Sequence, residues 1–200
     1  MPRAGLTPAT VTEAGAALAD QVGIARLSMG LVADQLGVKT PSLYKHVDSL
    51  ADLVHRIAVL AMSEVGDAIG DAIQGRTGSD ALTAAAQAMR TYVQAHPGRY
   101  AAGNGAYPTG PHDPLVAASE RLLARLTAVL RGYRLPAEEE IHALRMLRST
   151  IHGFATLEAA DGFHIEADVD ESFIWIVSRL DAGLRADRSP EHPAATPAPR

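Results

Sequence analysis

The chain has 200 residues, 47% of them hydrophobic and 20% charged, and a formal net charge of −5. That apolar content suffices for a buried core in one large domain, or in a small domain joined to a larger one. It contains no cysteine, which excludes disulfides and thiolate metal sites. No window approaches the roughly 20 apolar residues of a membrane span, and the opening MPRAGLTPATV lacks the apolar run of a signal peptide. A cytoplasmic protein with no membrane partner is expected.

The pattern is helical nearly throughout. Thr7-Pro8 offers a capping hydroxyl followed by a proline at the first helical position. Val11, Ala14, Leu18 and Val22 then form a 3.6-period face, which Gly23 ends. Ser28 is placed to cap a second helix with Leu31, Val32 and Leu36 on its apolar side, and Gly37 supplies the residue that tolerates positive φ at its end. Thr40-Pro41 repeats the cap-plus-proline start, and Leu43 and Val47 face inward four residues apart. A longer helix begins at Asp48-Ser49 and carries apolar groups at threes and fours from Leu50 to Ile69, up to the break Gly75-Arg76-Thr77-Gly78. Past the break a helix spans about Ser79 to Ala95, and His96-Pro97-Gly98 reads as its stop. Gly103 to Pro114 reads as a loop, and Asp113-Pro114 opens a helix with Leu122, Leu123, Leu126, Val129, Leu130 and Tyr133 inward. Pro136 and Glu138 to Glu140 open the next, whose inward residues are Ile141, Leu144, Leu147, Ile151, Phe154 and Ala155. The last starts near Asp168 with Phe173, Ile176, Val177, Leu180 and Leu184 on one stripe. The tail from Asp187 has four prolines in fourteen residues and reads as disordered. The organisation expected is a first helical unit over 1–48, a connecting helix over 49–74, a larger helical domain over 75–186, and the tail 187–200.

Residues Ser28 to Val47 therefore describe a helix-turn-helix, which places its second helix in a DNA major groove. The acidic balance does not oppose this. Residues 1–56 hold five basic and five acidic groups, so the deficit lies wholly in the remainder, and Val38–Val47 holds two cations and no anion. Those two, Lys39 and Lys45, are the only lysines in the chain and suit contact with phosphate. Thr40, Pro41 and Ser42, at the start of the second helix, are placed to reach base edges. Ser28 is positioned to meet phosphate as well as to cap, and Arg26 is a further candidate. Reading a palindromic site needs a two-fold dimer, and the last two long helices, apolar on more than one side and carrying Trp175, are the expected interface.

Catalytic and metal chemistry find no support. His96, His112, His142, His152 and His164 never fall at the spacing of a helical metal pair. The acidic run Asp161–Glu171 lacks the spacing of a calcium loop, and GNGAYPTG is not followed by the helix start of a phosphate loop. No enzymatic activity and no cofactor are expected.

The spacing of Gly23, Leu27-Ser28, Leu36-Gly37-Val38 and Leu43-Tyr44-Lys45-His46-Val47 resembles that of the TetR (tetracycline-repressor-like) family over residues 7–60. Two positions depart from the family pattern: Val47 stands where phenylalanine is commonest, and Leu50 where a phosphate-contacting lysine is common. In the second part, Ala95-His96-Pro97-Gly98 with Tyr100 is similar to a phrase of the family's regulatory domain. Ile151-His152-Gly153-Phe154 resembles the tryptophan-histidine-glycine motif of one C-terminal subgroup, with isoleucine for tryptophan. The resemblance implies an all-α dimeric repressor of double-stranded operator DNA, released by a small-molecule effector. It implies a backbone or thymine contact for Tyr44 and a phosphate contact for His46. Candidates for the effector pocket are Met89, Tyr92, Tyr100, Tyr107, Met146, His152, Phe154 and Trp175, residue types that also serve simply as core. The competing reading is a helical small-molecule-binding or enzymatic protein whose helix-turn-helix is only structural. It draws on the acidic charge, Leu50 and the large second part.

Overall fold

In the computed structural model, which describes residues 5–186, nine α-helices and two short 310 turns make up all the regular structure among the described residues. Helix α1 (Pro8–Val22) opens on a reciprocal cap. The Thr10 amide donates to the Thr7 hydroxyl at 3.1 Å, and the Thr7 amide donates to the Thr10 hydroxyl at 2.9 Å. A 310 turn (Ile24–Arg26) leads to α2 (Met29–Leu36), capped by Ser28, whose hydroxyl accepts from the Leu31 amide at 3.3 Å. Gly37 then turns left-handed, at φ 66°, a conformation in which a Cβ would be strained. It directs the chain into α3 (Thr40–Leu43).

α3 is shorter than the sequence pattern suggests. One helical turn is prolonged only by a hydrogen-bonded turn, in which the His46 and Val47 amides donate to the Leu43 carbonyl at 2.8 and 3.1 Å. Its N-cap is Lys39, without a side-chain cap bond, so Thr40 is already helical and does not serve as the cap. Leu43 and Val47 are buried as expected, each burial stabilising the three-helix unit by roughly 1.5–3 kcal/mol. Leu31 instead is 42% exposed. It lies about 100° around the helix from the buried Val32, beyond the edge of the apolar stripe.

Ser49 caps α4 (Leu50–Ala72), accepting from the Asp52 amide at 3.0 Å. This long helix packs against α1 at one end and along α5 (Gly78–Ala95), α6 (Pro97–Gly105) and α7 (Pro114–Leu130) over the rest. A second 310 turn (Arg131–Tyr133) precedes α8 (Ala137–Ala159), and α9 (Val169–Ala186) closes the described chain. α5 lies between α4 on one side and α8 and α9 on the other. One continuous apolar cluster runs from Val11 in α1 through Leu53, Leu82, Leu126 and Ile151 to Leu184 in α9. The two parts of the chain therefore share a core at the point where α4 and α6 meet α1.

Four further expectations change. His96-Pro97-Gly98 is a corner between two helices and not a stop, because proline ends one helix as readily as it begins the next. The stretch 97–105 is helical, and the loop shrinks to residues 106–113. Leu123 is 48% exposed, one step around α7 from the half-buried Leu122. Ile141 is 46% exposed, at the rim of a small cavity that it lines with Thr127 and Leu130 of α7, and the first buried position of α8 is Ala143. The tail from Asp187 lies outside the described residues.

Candidate functional site

α3, its N-cap Lys39 and the turn that follows it gather seven of the nine candidate DNA-contacting residues into one short segment. Lys39, Pro41, Tyr44 and Lys45 are exposed, and Thr40, Ser42 and His46 are half-buried at the edges. Tyr44 is 52% exposed, so its ring is not a packing element of the three-helix core. The arrangement follows from the local sequence: Leu43 and Val47 anchor one side and commit the polar residues between them to the other. Arg26 and Ser28 lie apart from this segment, the one in the 310 turn after α1 and the other at the start of α2. The Arg26 Nε donates to the Val22 carbonyl at 2.5 Å, which ties the side chain to the end of α1. Among the described residues no carboxylate lies within 4.0 Å of Arg26, Lys39 or Lys45. Cations without internal partners, in a stretch (38–47) that holds no acidic residue, are what a phosphate backbone requires.

A second cluster, absent from the sequence reading, binds this unit to the rest of the molecule. Gly98, at the start of α6, lies against the end of α1 so closely that a Cβ there would stand 1.9 Å from the Ala19 carbonyl oxygen. The adjacent Arg99 is buried. Its backbone amide and its Nε donate to the two carboxylate oxygens of Asp20 in α1, at 2.9 and 2.8 Å, and one terminal nitrogen meets both oxygens of Glu64 in α4 at 3.1 Å. The Tyr92 hydroxyl of α5 donates to Glu64 at 2.7 Å, and burial together with that bond raises the phenol's pKa well beyond its ordinary value. Four helices thus meet at one buried charged group. A further tie joins α4 to the loop 106–113. Asp113 accepts from the Thr109 and Leu115 amides at 2.7 and 2.8 Å and contacts the His55 ring at 2.9 Å. Those two amides, ahead of His55, hold its carboxyl well below the usual carboxylate range.

The eight candidates for an effector pocket do not come together. Tyr92 lines an open groove of about 640 Å3 between α4 and α5, Phe154 a cavity of about 440 Å3 beside the α8–α9 connection, and Tyr100 and His152 a cleft of about 360 Å3 between α6 and α8. Met89 is buried in the core and lines none of these three. Tyr107, Met146 and Trp175 are 84%, 40% and 61% exposed and also lie outside them. A helical stripe fixes which residues share a face, not whether that face meets another helix. Among the described residues no group of three or more His, Asp or Glu side chains is placed to hold a metal ion, and no helix is long and apolar enough to cross a membrane.

Comparison with known proteins agrees with this architecture. Residues 3–57 match the family described as bacterial regulatory proteins, tetR family, and residues 82–180 match a tetracyclin repressor-like C-terminal domain. Over 182 residues, 90% of this chain and 83% of the relative, the chain is 36% identical to an HTH-type transcriptional regulator of Mycobacterium tuberculosis, Rv0681. It is 31% identical to another of Bacillus subtilis, YobS, over 92% of this chain and 95% of that one. The fold is that of TetR from Acinetobacter baumannii solved with minocycline, at a TM-score of 0.69 and 21% identity over 92% of this chain and 99% of the other. The chain belongs to the TetR family. It is a DNA-binding transcriptional regulator of the helix-turn-helix kind. The C-terminal match covers that domain as a whole and does not single out the tryptophan-histidine-glycine subgroup.

Proposed function

We propose that this regulator is a cytoplasmic, non-catalytic homodimeric repressor that grips its operator through α3 and lets go when a small molecule binds the C-terminal domain. The observation that carries the DNA reading is the exposed α3 surface, where Tyr44 and two lysines without carboxylate partners face solvent. Lys39, Lys45 and His46 hold phosphates, with Arg26 and Ser28 supporting them. Thr40, Pro41 and Ser42 face the base edges, and Tyr44 lies on the backbone or a thymine methyl. Residues 1–48 form the reading unit, α4 within 49–74 connects it, and 75–186 bind effector and partner.

The homodimer forms through α8 and α9. Leu157, Ile174 and Trp175 on these helices are more than half exposed, large apolar side chains that a partner surface would cover. Ligand release is supported by the cavities of the C-terminal domain and by the minocycline-bound relative of the same fold. A mobility shift with the DNA upstream of the protein's own gene, at low and moderate salt, tests the reading. A complex that survives competitor DNA and weakens with salt is expected. Failure to bind that fragment and any fragment from a genome-wide selection would contradict it.

A further inference from the structure

α6 is a nine-residue helix that packs along α4 and is joined to α1 and to α8. Towards α1 it is fixed by the close approach of Gly98 to Ala19 and by the paired bonds from Arg99 to Asp20. Towards α8 it is held by the next residue, whose Tyr100 hydroxyl lies 2.9 Å from the His152 Nδ1. The first joint is rigid, with backbone against backbone and a buried ion pair. The second is one hydrogen bond between neutral groups, and the cleft of about 360 Å3 opens beside it. A molecule entering this cleft presses on α6 at Tyr100 and Asn104, and on α8 at His152 and Thr156. If the weaker joint gave way, the rigid joint would carry the shift of α6 to α1.

The chemistry of the cleft limits its occupant. No lysine, arginine, aspartate or glutamate lines it. Burial pushes the Tyr100 phenol up to about 12, and burial, followed by the nearby Arg148 guanidinium, lowers the His152 pKa. Both groups are therefore uncharged near neutral pH. The phenol is the stronger donor, so it donates to Nδ1 and leaves the imidazole with an Nε2–H. Val93, Pro97 and Ala159 supply apolar walls. The volume lies near the lower end of the ~300–1,000 Å3 range of ligand pockets, which suits a compound of one or two rings.

The groove at Tyr92 and the cavity at Phe154 carry less, and a fourth hollow between α7 and the start of α8 is smaller, about 260 Å3. The groove between α4 and α5 is floored by alanines, and the Tyr92 hydroxyl on its wall is already committed to Glu64. The cavity at Phe154 and Phe163 adjoins the apolar surface assigned above to the dimer.

We infer that the cleft between α6 and α8 is the effector site, that it takes a small uncharged ring compound bearing a hydroxyl or carbonyl group, and that α6 carries the signal to α1 through Arg99 and Asp20. The inference rests on the ligand-released reading proposed above.

The test uses the full chain and three probes matched in size: 2-naphthol, 2-methylnaphthalene and 2-naphthoate. Calorimetry should show 2-naphthol binding at least tenfold tighter than either of the others. Ala101→Phe fills the cleft from an exposed position on α6, so it should weaken 2-naphthol at least tenfold while helical circular dichroism and oligomeric state stay those of the wild type. Tyr100→Phe should weaken 2-naphthol several-fold and leave 2-methylnaphthalene unchanged. Saturating 2-naphthol should lower wild-type operator affinity about tenfold, within the usual range of allosteric coupling. In Asp20→Asn, which severs the Arg99 ion pair, that effect should shrink while probe binding persists. Absence of 2-naphthol binding, equal binding by Ala101→Phe, or tighter binding of 2-naphthoate overturns the inference. A wild-type protein that binds no operator would instead fail the regulator reading, and the calorimetric result would stand on its own.

Discussion

At the scale of single residues, the proposed DNA surface separates positions that hold phosphate from positions that read bases. Lys39 and Lys45 are exposed and without carboxylate partners among the described residues, so their contribution is one of charge. Replacing either by alanine should weaken binding evenly across sequences. The slope of log affinity against log salt should fall by about 1 for each phosphate that is no longer neutralised, hence about 2 per dimer. Titrations of cognate and scrambled duplexes at several salt concentrations measure both effects. Gly98 makes a separate demand. A methyl group there would overlap the Ala19 carbonyl, and backbone cannot rotate aside as a side chain can. Gly98→Ala should cost about 1–3 kcal/mol of stability in denaturant unfolding, the usual cost of overpacking, and should weaken operator binding by displacing α1.

Among the elements, α4 and α6 determine how the DNA-binding unit sits. α4 spans roughly 34 Å at 1.5 Å per residue and is bonded at both ends of its contact with α6 and the loop beyond, through Glu64 to Arg99 and through His55 to Asp113. Removing the cation at the first point should be costly, because two largely buried carboxylates would then lose the guanidinium between them, leaving Glu64 only the Tyr92 hydroxyl and Asp20 only the His96 ring and the backbone amide at position 99. Arg99→Ala should destabilise by about 3 kcal/mol, the low end for a broken buried pair, since Glu64 keeps some solvent. The Tyr100–His152 joint brings a pH dependence. Burial lowers the His152 pKa in the folded chain, so the unfolded chain takes up a proton first as pH falls through the ordinary histidine range near 6.5. Stability attributable to His152 therefore declines below about pH 6.5 and is whole above it. His152→Gln should flatten that part of a melting-temperature profile between pH 7.5 and 5.5. The sequence made the starts of α1, α2, α4 and α7 legible, because Thr7, Ser28, Ser49 and Asp113 each announce a cap that the structure forms. It concealed α6, since His96-Pro97-Gly98 suits a stop and a start equally. It also concealed the Asp20–Arg99–Glu64 cluster, whose members lie 79 and 35 positions apart and share no local pattern. The scatter of Tyr107, Met146 and Trp175 away from the cavities has a related cause: residue type reports apolar mass, whereas the cavity is a property of how helices meet.

For the whole molecule, the proposed dimer surface of α8 and α9 and the proposed reading surface of α3 would serve one requirement, two α3 segments held about one DNA turn apart, roughly 34–36 Å. Trp175 is 61% exposed, so a charge placed there should leave the protomer folded and oppose pairing. Trp175→Glu should sediment as a monomer, keep its helical circular dichroism, and lose most operator affinity. A dimeric Trp175→Glu protein would move the interface elsewhere. The net charge of −5 means that affinity must come from the local surface, not from a basic molecule, and that makes α3 the place to intervene. The most direct measurement is a fluorescence-anisotropy titration of a duplex recovered by selection from genomic fragments, comparing wild type with Tyr44→Ala and His46→Ala. Wild type should bind specifically and with a linear log–log salt dependence. Each variant should lose at least tenfold in affinity while remaining a dimer of unchanged stability. Variants that bind as tightly as wild type would contradict the assignment of α3 as the DNA-reading element.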